Sequence, residues 1–165
     1  TTDLFINALK TMKKRNIPKE AAVPGKSYAF GDLALDVLGP LKDYSSLNDA
    51  SVVVRLTYGM HVFLLMGDAE KKAENDLVKT YGSGLRAQVL KAGHHGSKTS
   101  TTEKFLTAVR PRYAAISAGD NDYNHPSTDT LALLKRHGVT VYVTKHNGSV
   151  FFYSDGETLE VQTER

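Results

Sequence analysis

Two adjacent histidines, His94 and His95, are the side chains in this sequence best suited to chemistry. They stand in the segment Gly93-His94-His95-Gly96-Ser97, shortly after an apolar run at residues 87–90. Imidazole is a common metal ligand that titrates near neutral pH, and flanking glycines let the backbone come close to a bound group. Successive side chains point in different directions, so the two rings are not expected to bind one ion together. A polar surface turn is the alternative interpretation of this pair.

Two further polar loops stand at matching positions in the chain. Asp68 follows the apolar run 62–66, and His125 stands between Asn124 and Pro126. A carboxylate at the position of Asp68 is either the N-cap of a helix or a metal ligand. Taken alone, His125 is more typical of a turn than of an active site.

The spacing of apolar residues predicts the elements that position these loops. Helices are expected over residues 2–16, 70–81, 102–109 and 127–137, and strands over 27–30, 33–38, 52–57, 62–66, 87–90 and 113–118. In the tail, three edge strands are expected over 139–143, 150–153 and 158–161, joined by Asn147-Gly148 and Asp155-Gly156 turns. Three successive strand–loop–helix units follow one another in this prediction. Loops that follow the strands of such units gather along one edge of an α/β sheet, so Asp68, the histidine pair and His125 are expected to meet there.

Composition limits the class of protein and of metal site. The chain has 165 residues, enough for one domain with a sizeable core, and no apolar run approaches the roughly 18–20 residues of a membrane span. It contains no cysteine, so any metal must be held by histidine and carboxylate. The net charge of +3 is compatible with an anionic substrate but is below that of a dedicated nucleic-acid binder.

Four segments together resemble the metallo-β-lactamase fold, and specifically the ComEC-like competence hydrolases. They are Asn48 with Ser51-Val52-Val53, Met66-Gly67-Asp68-Ala69-Glu70, Leu90-Lys91-Ala92-Gly93-His94-His95-Gly96-Ser97 and Asn124-His125-Pro126-Ser127. The resemblance runs from near residue 3 to about residue 153. It implies an α/β protein, an αβ/βα sandwich of four layers of which this chain is the C-terminal portion. It also implies a site for zinc or manganese between two sheets.

The resemblance also implies roles for individual residues. Asp68 and one histidine of the His94-His95 pair are expected to be metal ligands, with His95 the favoured one. His94 and His125 are then expected to be catalytic residues near a substrate phosphate. Substrate binding is expected of Ser97, Lys98 and Asn124.

One departure from the family pattern stands against these matches. The leading ligand motif of the family, His-x-(Asp/His)-x-Asp-His, is not present in the 165 residues. We therefore expect residues 1–165 to be a single metallo-β-lactamase-like domain without its N-terminal metal-motif segment, either as part of a longer chain or as a diverged relative. Metal binding should then be weak, since catalytic zinc normally has three protein ligands.

The same departure predicts an incomplete sandwich. Without its first half, an apolar sheet face that includes Val52, Val54, Phe63 and Leu65 should lack part of its cover. The expected partner is the rest of the same parent chain or a second copy, unless residues 1–50 close the gap. The resemblance further indicates a bacterial parent that is membrane-attached or extracytoplasmic.

Two functions remain as hypotheses. The first is a metal-dependent hydrolase of phosphodiester bonds, with DNA or another phosphate ester as substrate. The second is a non-catalytic phosphate-binding or interaction module, in which the hydroxyl-rich residues 97–101 bind an anion at a helix start without a metal.

Overall fold

The computed structural model describes residues 2–165 and contains, within that range, one seven-stranded sheet, a separate two-stranded hairpin and five α-helices. The helices are α1 (Asp3–Lys14), α2 (Lys71–Tyr81), α3 (Glu103–Val109), α4 (Thr128–Arg136) and α5 (Thr144–Asn147). The strands are β1 (Ser27–Phe30), β2 (Leu33–Gly39), β3 (Val53–Tyr58), β4 (His61–Leu65), β5 (Val89–Lys91), β6 (Tyr113–Ile116), β7 (Thr140–Val143), β8 (Val150–Ser154) and β9 (Leu159–Thr163). The α/β class expected from the sequence is confirmed.

The order of strands in the large sheet follows the chain, from β1 to β7. Strands β1 to β4 pair antiparallel, and β4 to β7 pair parallel. Parallel neighbours need a crossover, and α2, α3 and α4 provide it in turn. The C-terminal ends of β4, β5 and β6 therefore lie along one edge, as the repeated strand–loop–helix units predict.

The hydrophobic core lies between this sheet and the crossover helices. Completely buried side chains face each other across it: Leu64, Leu90 and Ala114 from the sheet, and Leu77, Phe105 and Leu134 from the helices, each at most 1% exposed. Burying a large apolar side chain contributes roughly 1.5–3 kcal/mol, so this layer holds the edge of the sheet in a fixed shape.

The opposite face of the sheet is less well covered. Its half-buried apolar side chains Val54, Leu56, Phe63 and Leu65, which pair across β3 and β4, are called the open sheet face. The β8–β9 hairpin covers one part of this side, where the rings of Phe152 and Phe63 lie 6.3 Å apart. The exposed Val52 stands just before β3.

The three strands expected in the tail are confirmed, with β7 at the edge of the large sheet and β8 and β9 paired only with each other. The expected strand-to-strand turn at Asn147-Gly148 is wrong: the Asn147 side-chain oxygen accepts the Val143 N–H at 2.8 Å and closes the helical turn α5 between β7 and β8. The alternative that residues 1–50 close the gap is not what the described residues show, because residues 27–39 extend the sheet edge and no residue of α1 is buried. Thr1 lies outside the described residues.

No helix within residues 2–165 has both the length and the apolar character needed to cross a bilayer.

The buried carboxylate of Glu74 joins α2 to α3. Glu74 is 0% exposed and accepts hydrogen bonds from the backbone N–H groups of Thr101 and Thr102 at the start of α3. Burial raises the pKa of Glu74, although the Thr102 and Thr101 donors favour the ionised form.

We expect Glu74→Ala to lower the free energy of unfolding by about 2–4 kcal/mol, because two amide groups would lose their acceptor. Chemical denaturation measures this loss. Glu160→Ala on β9 is the matched control, because Glu160 is exposed, and it should change stability by no more than about 0.5 kcal/mol. Equal stabilities of the two variants would contradict a structural role for Glu74.

Candidate active site

Three loops meet at the edge of the sheet where β4, β5 and β6 end. The first, second and third site loops comprise residues 66–70, 92–101 and 117–127. Backbone hydrogen bonds join the first two loops, from His94 N–H to the Gly67 carbonyl at 3.1 Å, and the second and third, from Ser127 N–H to the Gly96 carbonyl at 2.9 Å. The predicted meeting of Asp68, the histidine pair and His125 at one edge is thus what the structure shows.

Two glycines of the second site loop permit this close packing. A Cβ atom at Gly93 would lie 2.5 Å from the Ala69 carbonyl oxygen of the first loop. Gly96 has a φ of +76°, and a Cβ there would lie 2.7 Å from Pro126 of the third loop. Only glycine fits such positions without displacing a neighbouring loop.

His95 and Asp68 form the part of the site best suited to bind a cation. The Nδ1 of His95 lies 2.7 Å from the Ser117 carbonyl oxygen. A carbonyl can only accept, so neutral His95 carries its hydrogen on Nδ1 and has a free lone pair on Nε2. That Nε2 lies 3.5 Å from Asp68 Oδ1, and both side chains are about half exposed. Two acceptors at this distance attract a cation or a proton between them.

His94 faces the other way and contacts Glu70. Its Nδ1 lies 2.9 Å from Glu70 Oε1, and the Thr99 hydroxyl donates to the same oxygen at 2.5 Å. Burial alone would raise the pKa of Glu70, but the hydrogen bonds from Thr99 and His94 hold it below its ordinary value. The ionised carboxylate therefore accepts from His94 Nδ1 and fixes the orientation of the ring.

His125 brings the third site loop to the same place. Its ring centroid lies 5.3 Å from that of His94, and its buried Nδ1 has no hydrogen-bond partner among residues 2–165. The Asn121 side chain holds the loop by accepting the His125 N–H at 3.0 Å and donating to the His125 carbonyl at 2.7 Å. A cleft of about 410 Å³ opens beside these rings, lined by His95, Ser117, Ala118, Gly119, Asn121, Tyr123, His125 and Thr144.

The three residues expected to bind substrate are placed differently from one another. Ser97 is 4% exposed, and its hydroxyl lies 2.9 Å from that of Thr99 within the same loop. Lys98 and Asn124 are exposed, and Asn124 has a φ of 56°. Their roles in substrate binding stay predictions.

Several neighbours of the site were not predicted from the sequence. Glu70 orients His94, the Ser117 carbonyl orients His95, and Asn121 holds His125. Glu70 stands two residues after Asp68. This short spacing is the sequence signal that could have indicated a role for Glu70 in the site. Lys91 is also near the site: burial lowers its pKa, the charge of Asp68 opposes that shift, and its Nζ donates to the Ala92 carbonyl at 3.0 Å.

The metal-binding capacity of the described chain is incomplete. Residues 2–165 contain no group of three or more His, Asp or Glu side chains placed to hold a metal ion. Asp68 and His95 fit two ligands of a divalent metal, because the tautomer of His95 leaves its Nε2 free and its second nitrogen is held by a carbonyl, as in known metal sites.

Comparison with known proteins shows the family of the chain. Residues 12–120 match the family described as the metallo-beta-lactamase superfamily. The chain belongs to the metallo-β-lactamase superfamily. Members of this superfamily are generally hydrolytic and typically bind divalent metals.

Three bacterial relatives are similar in sequence. ComE operon protein 3 of Bacillus subtilis is 37% identical over 144 residues, which cover 86% of this chain and 18% of that protein. Competence protein ComA of Neisseria gonorrhoeae is 41% identical over 106 residues, covering 64% of this chain and 15% of ComA. Recombination protein 2 of Haemophilus influenzae is 35% identical over 143 residues, which cover 86% of this chain and 18% of that protein. The chain thus spans less than a fifth of the length of these longer proteins, and the resemblance to competence proteins is confirmed.

The tautomer of His95 can be measured directly. We expect nitrogen-detected NMR at a pH where the ring is neutral to show the Nδ1–H form, because the Ser117 carbonyl accepts that hydrogen. His146, exposed on α5, is the internal control and should show the mixture of a free imidazole. A neutral His95 that carries its hydrogen on Nε2 would contradict a role for that nitrogen as a ligand.

Proposed function

We propose that this chain is the later part of a metal-dependent hydrolase that acts on phosphodiester bonds, with DNA or another phosphate ester as substrate. The observation that supports it most is the facing pair of His95 Nε2 and Asp68 Oδ1, 3.5 Å apart, beside the rings of His94 and His125. Membership of a generally hydrolytic superfamily and similarity to competence proteins support the reaction class.

The proposed roles follow from the contacts. Asp68 and His95 hold zinc or manganese. When bound, such a metal lowers the pKa of a coordinated water and offsets the charge that develops on the phosphoryl oxygens. His94, held by Glu70, and His125, held by Asn121, line the space beside that pair. Because Nδ1 of His94 already donates to Glu70, this ring donates to a phosphate from Nε2 only in its imidazolium form, whereas either form of His125 has a nitrogen that can donate. Lys98 and Asn124, both exposed at the rim, extend the contact with substrate, whereas the buried Ser97 supports the shape of the loop through its contact with Thr99.

The remaining metal ligands are proposed to come from outside these 165 residues. Two donors are fewer than the three protein ligands usual for catalytic zinc. The open sheet face supports the same proposal, since a second layer of the sandwich would both cover it and reach the site edge. We propose that residues 1–165 form most of a single domain, and that a further segment of the parent chain completes it.

Hydrolysis by the parent protein tests the proposed function. With Mn²⁺ or Zn²⁺ added, we expect cleavage of a chromogenic phosphodiester and of DNA. Asp68→Asn and His95→Gln should each reduce kcat by at least about 100-fold, since even the outer partners of metal ligands cost 10–100-fold when removed. His146→Gln, at an exposed position outside the site loops, is the control and should retain full activity. No hydrolysis by the parent protein, or full activity in His95→Gln, would refute the proposal.

The alternative function is non-catalytic: the second site loop would bind an anion without a metal. Its basis is the incomplete ligand set within residues 2–165 and the hydroxyls of residues 97–101. In the structure these hydroxyls are largely used within the protein: Ser100 donates to the Gly93 carbonyl at 2.8 Å, and Ser97 contacts Thr99. Anion binding by this stretch without a metal is therefore the less favoured candidate.

The open sheet face leads to a prediction about association. We expect the isolated 165-residue chain to self-associate at micromolar concentration, because half-buried apolar side chains lack a full cover. Light scattering measures this. Phe63→Ser with Leu65→Ser should reduce association, whereas Leu47→Ser, which removes an exposed leucine from a loop, should not. A wild-type chain that stays monomeric would contradict the need for a covering segment.

A further inference from the structure

A second polar cleft lies at the edge of the sheet remote from the histidines. Its volume is about 410 Å³, and its lining is Arg55, Val62, Arg86, Ala87, Gln88, Val109, Arg110 and Arg112. Val62 stands near the beginning of β4, residues 86–88 precede β5, and Arg110 and Arg112 precede β6, whereas Arg55 lies on β3. The site loops follow the other ends of β4, β5 and β6. The two regions are separated by the strand length, roughly 10–13 Å at 3.3 Å per residue. We call this region the arginine cleft.

The charge of the arginine cleft is almost uncompensated. Of its four arginines, Arg55 alone has a carboxylate within ion-pair distance in the described chain, with its Nη1 3.8 Å from Asp36. The Nε of Arg55 is buried and has no hydrogen-bond partner among residues 2–165. The cleft therefore gathers positive charge that carboxylates of the described chain leave largely uncompensated.

Two of the arginines are held in place by the protein itself. The Arg112 guanidinium lies 4.9 Å from the centre of the Tyr113 ring, and Arg110 Nε donates to the Thr107 carbonyl at 3.2 Å. Guanidinium groups fixed in this way lose less entropy when they bind, and their planar donors match the oxygens of phosphate.

The basic surface continues beyond this cleft. A neighbouring cavity of about 390 Å³ shares Arg86 and Arg110 with it and adds Lys104. The acidic Glu103 beside Lys104 contacts His137. Both cavities are open to solvent, so a single small anion would occupy one of them, whereas a chain of regularly spaced phosphates can contact both.

We propose that the arginine cleft and its neighbouring cavity bind the phosphodiester backbone of a nucleic acid. The interaction is electrostatic, with the phosphates of one strand lying along Arg112, Arg86 and Arg110 and continuing toward Lys104. It is independent of hydrolysis at the site loops, because the cleft is on the opposite edge of the sheet and uses none of their residues.

Binding of a labelled oligothymidylate to the 165-residue chain tests the proposal. A length of about twenty nucleotides exceeds the usual site sizes of roughly 4–16 nucleotides, and fluorescence anisotropy is measured between roughly 50 and 200 mM salt. The triple variant Arg86→Gln/Arg110→Gln/Arg112→Gln should bind at least about tenfold more weakly. It should also lower the slope of log Kd against log salt by about 2, as expected for three lost contacts to a single strand.

The matched control removes the same charge from another surface. Lys10→Gln/Lys13→Gln/Lys14→Gln on α1 should keep nearly the full salt slope, and an equal loss in both triple variants would overturn the proposal in favour of net charge alone. Melting curves establish that the variants are folded. Should the arginine triple variant not fold, Arg86→Gln/Arg112→Gln carries the test, with Lys10→Gln/Lys13→Gln as its control.

Two competing ligands have their own outcomes. Complete displacement of the oligonucleotide by low millimolar pyrophosphate would show a site for a small phosphate and overturn the proposal. Arginine-dependent sedimentation with phosphatidylglycerol vesicles, without oligonucleotide binding, would show a lipid site and also overturn it. Oligonucleotide binding that depends on the arginines and resists pyrophosphate supports the proposal.

Discussion

The attachment of the second site loop to the start of α2 is the constraint on which the rest of the site depends. Glu70 accepts hydrogen bonds from His94 and Thr99, and Glu74 accepts them from the amides that begin α3. The Lys71 N–H also donates to the Thr99 carbonyl at 3.0 Å. Two carboxylates one helical turn apart thus hold a loop that comes 24–29 residues later in the chain. The charge of the ionised Glu70 makes its hydrogen bonds stronger than neutral ones would be.

This attachment explains how the side chains of two adjacent histidines point in different directions. His94 and His95 have φ values of 42° and 54°, in the left-handed region that side chains other than glycine seldom occupy. The strain is tolerated because the flanking glycines pack against the first and third loops. One ring is consequently fixed on Glu70 beside His125, and the other on the Ser117 carbonyl beside Asp68. The contacts of the two rings with Glu70 and Ser117 thus hold them in different directions, as their two proposed roles require.

The sequence predicts the parallel half of this fold well, because apolar runs alternate with amphipathic helices and glycines mark the loops between them. It predicts the three tail strands but not the connection between β7 and β8, since that helical turn depends on the Asn147 side chain and not on a strand-turn pattern. Glu70 was recognised as part of a motif but not as the partner of His94, a contact that exists only once two loops fold together. The convergence of Arg55, Arg86 and Arg112 could not be predicted from the sequence either, because Arg55 lies on β3 whereas Arg86 and Arg112 precede β5 and β6.

The central claim is that Asp68 and His95 are two ligands of an incomplete metal site. Calorimetric titration of Zn²⁺ into the 165-residue chain tests it most directly. The account predicts weak binding, far below the 10–16 kcal/mol of complete zinc sites, that disappears in Asp68→Asn and in His95→Gln and persists in His146→Gln. Binding of equal strength in the wild type and in both site variants would contradict the account.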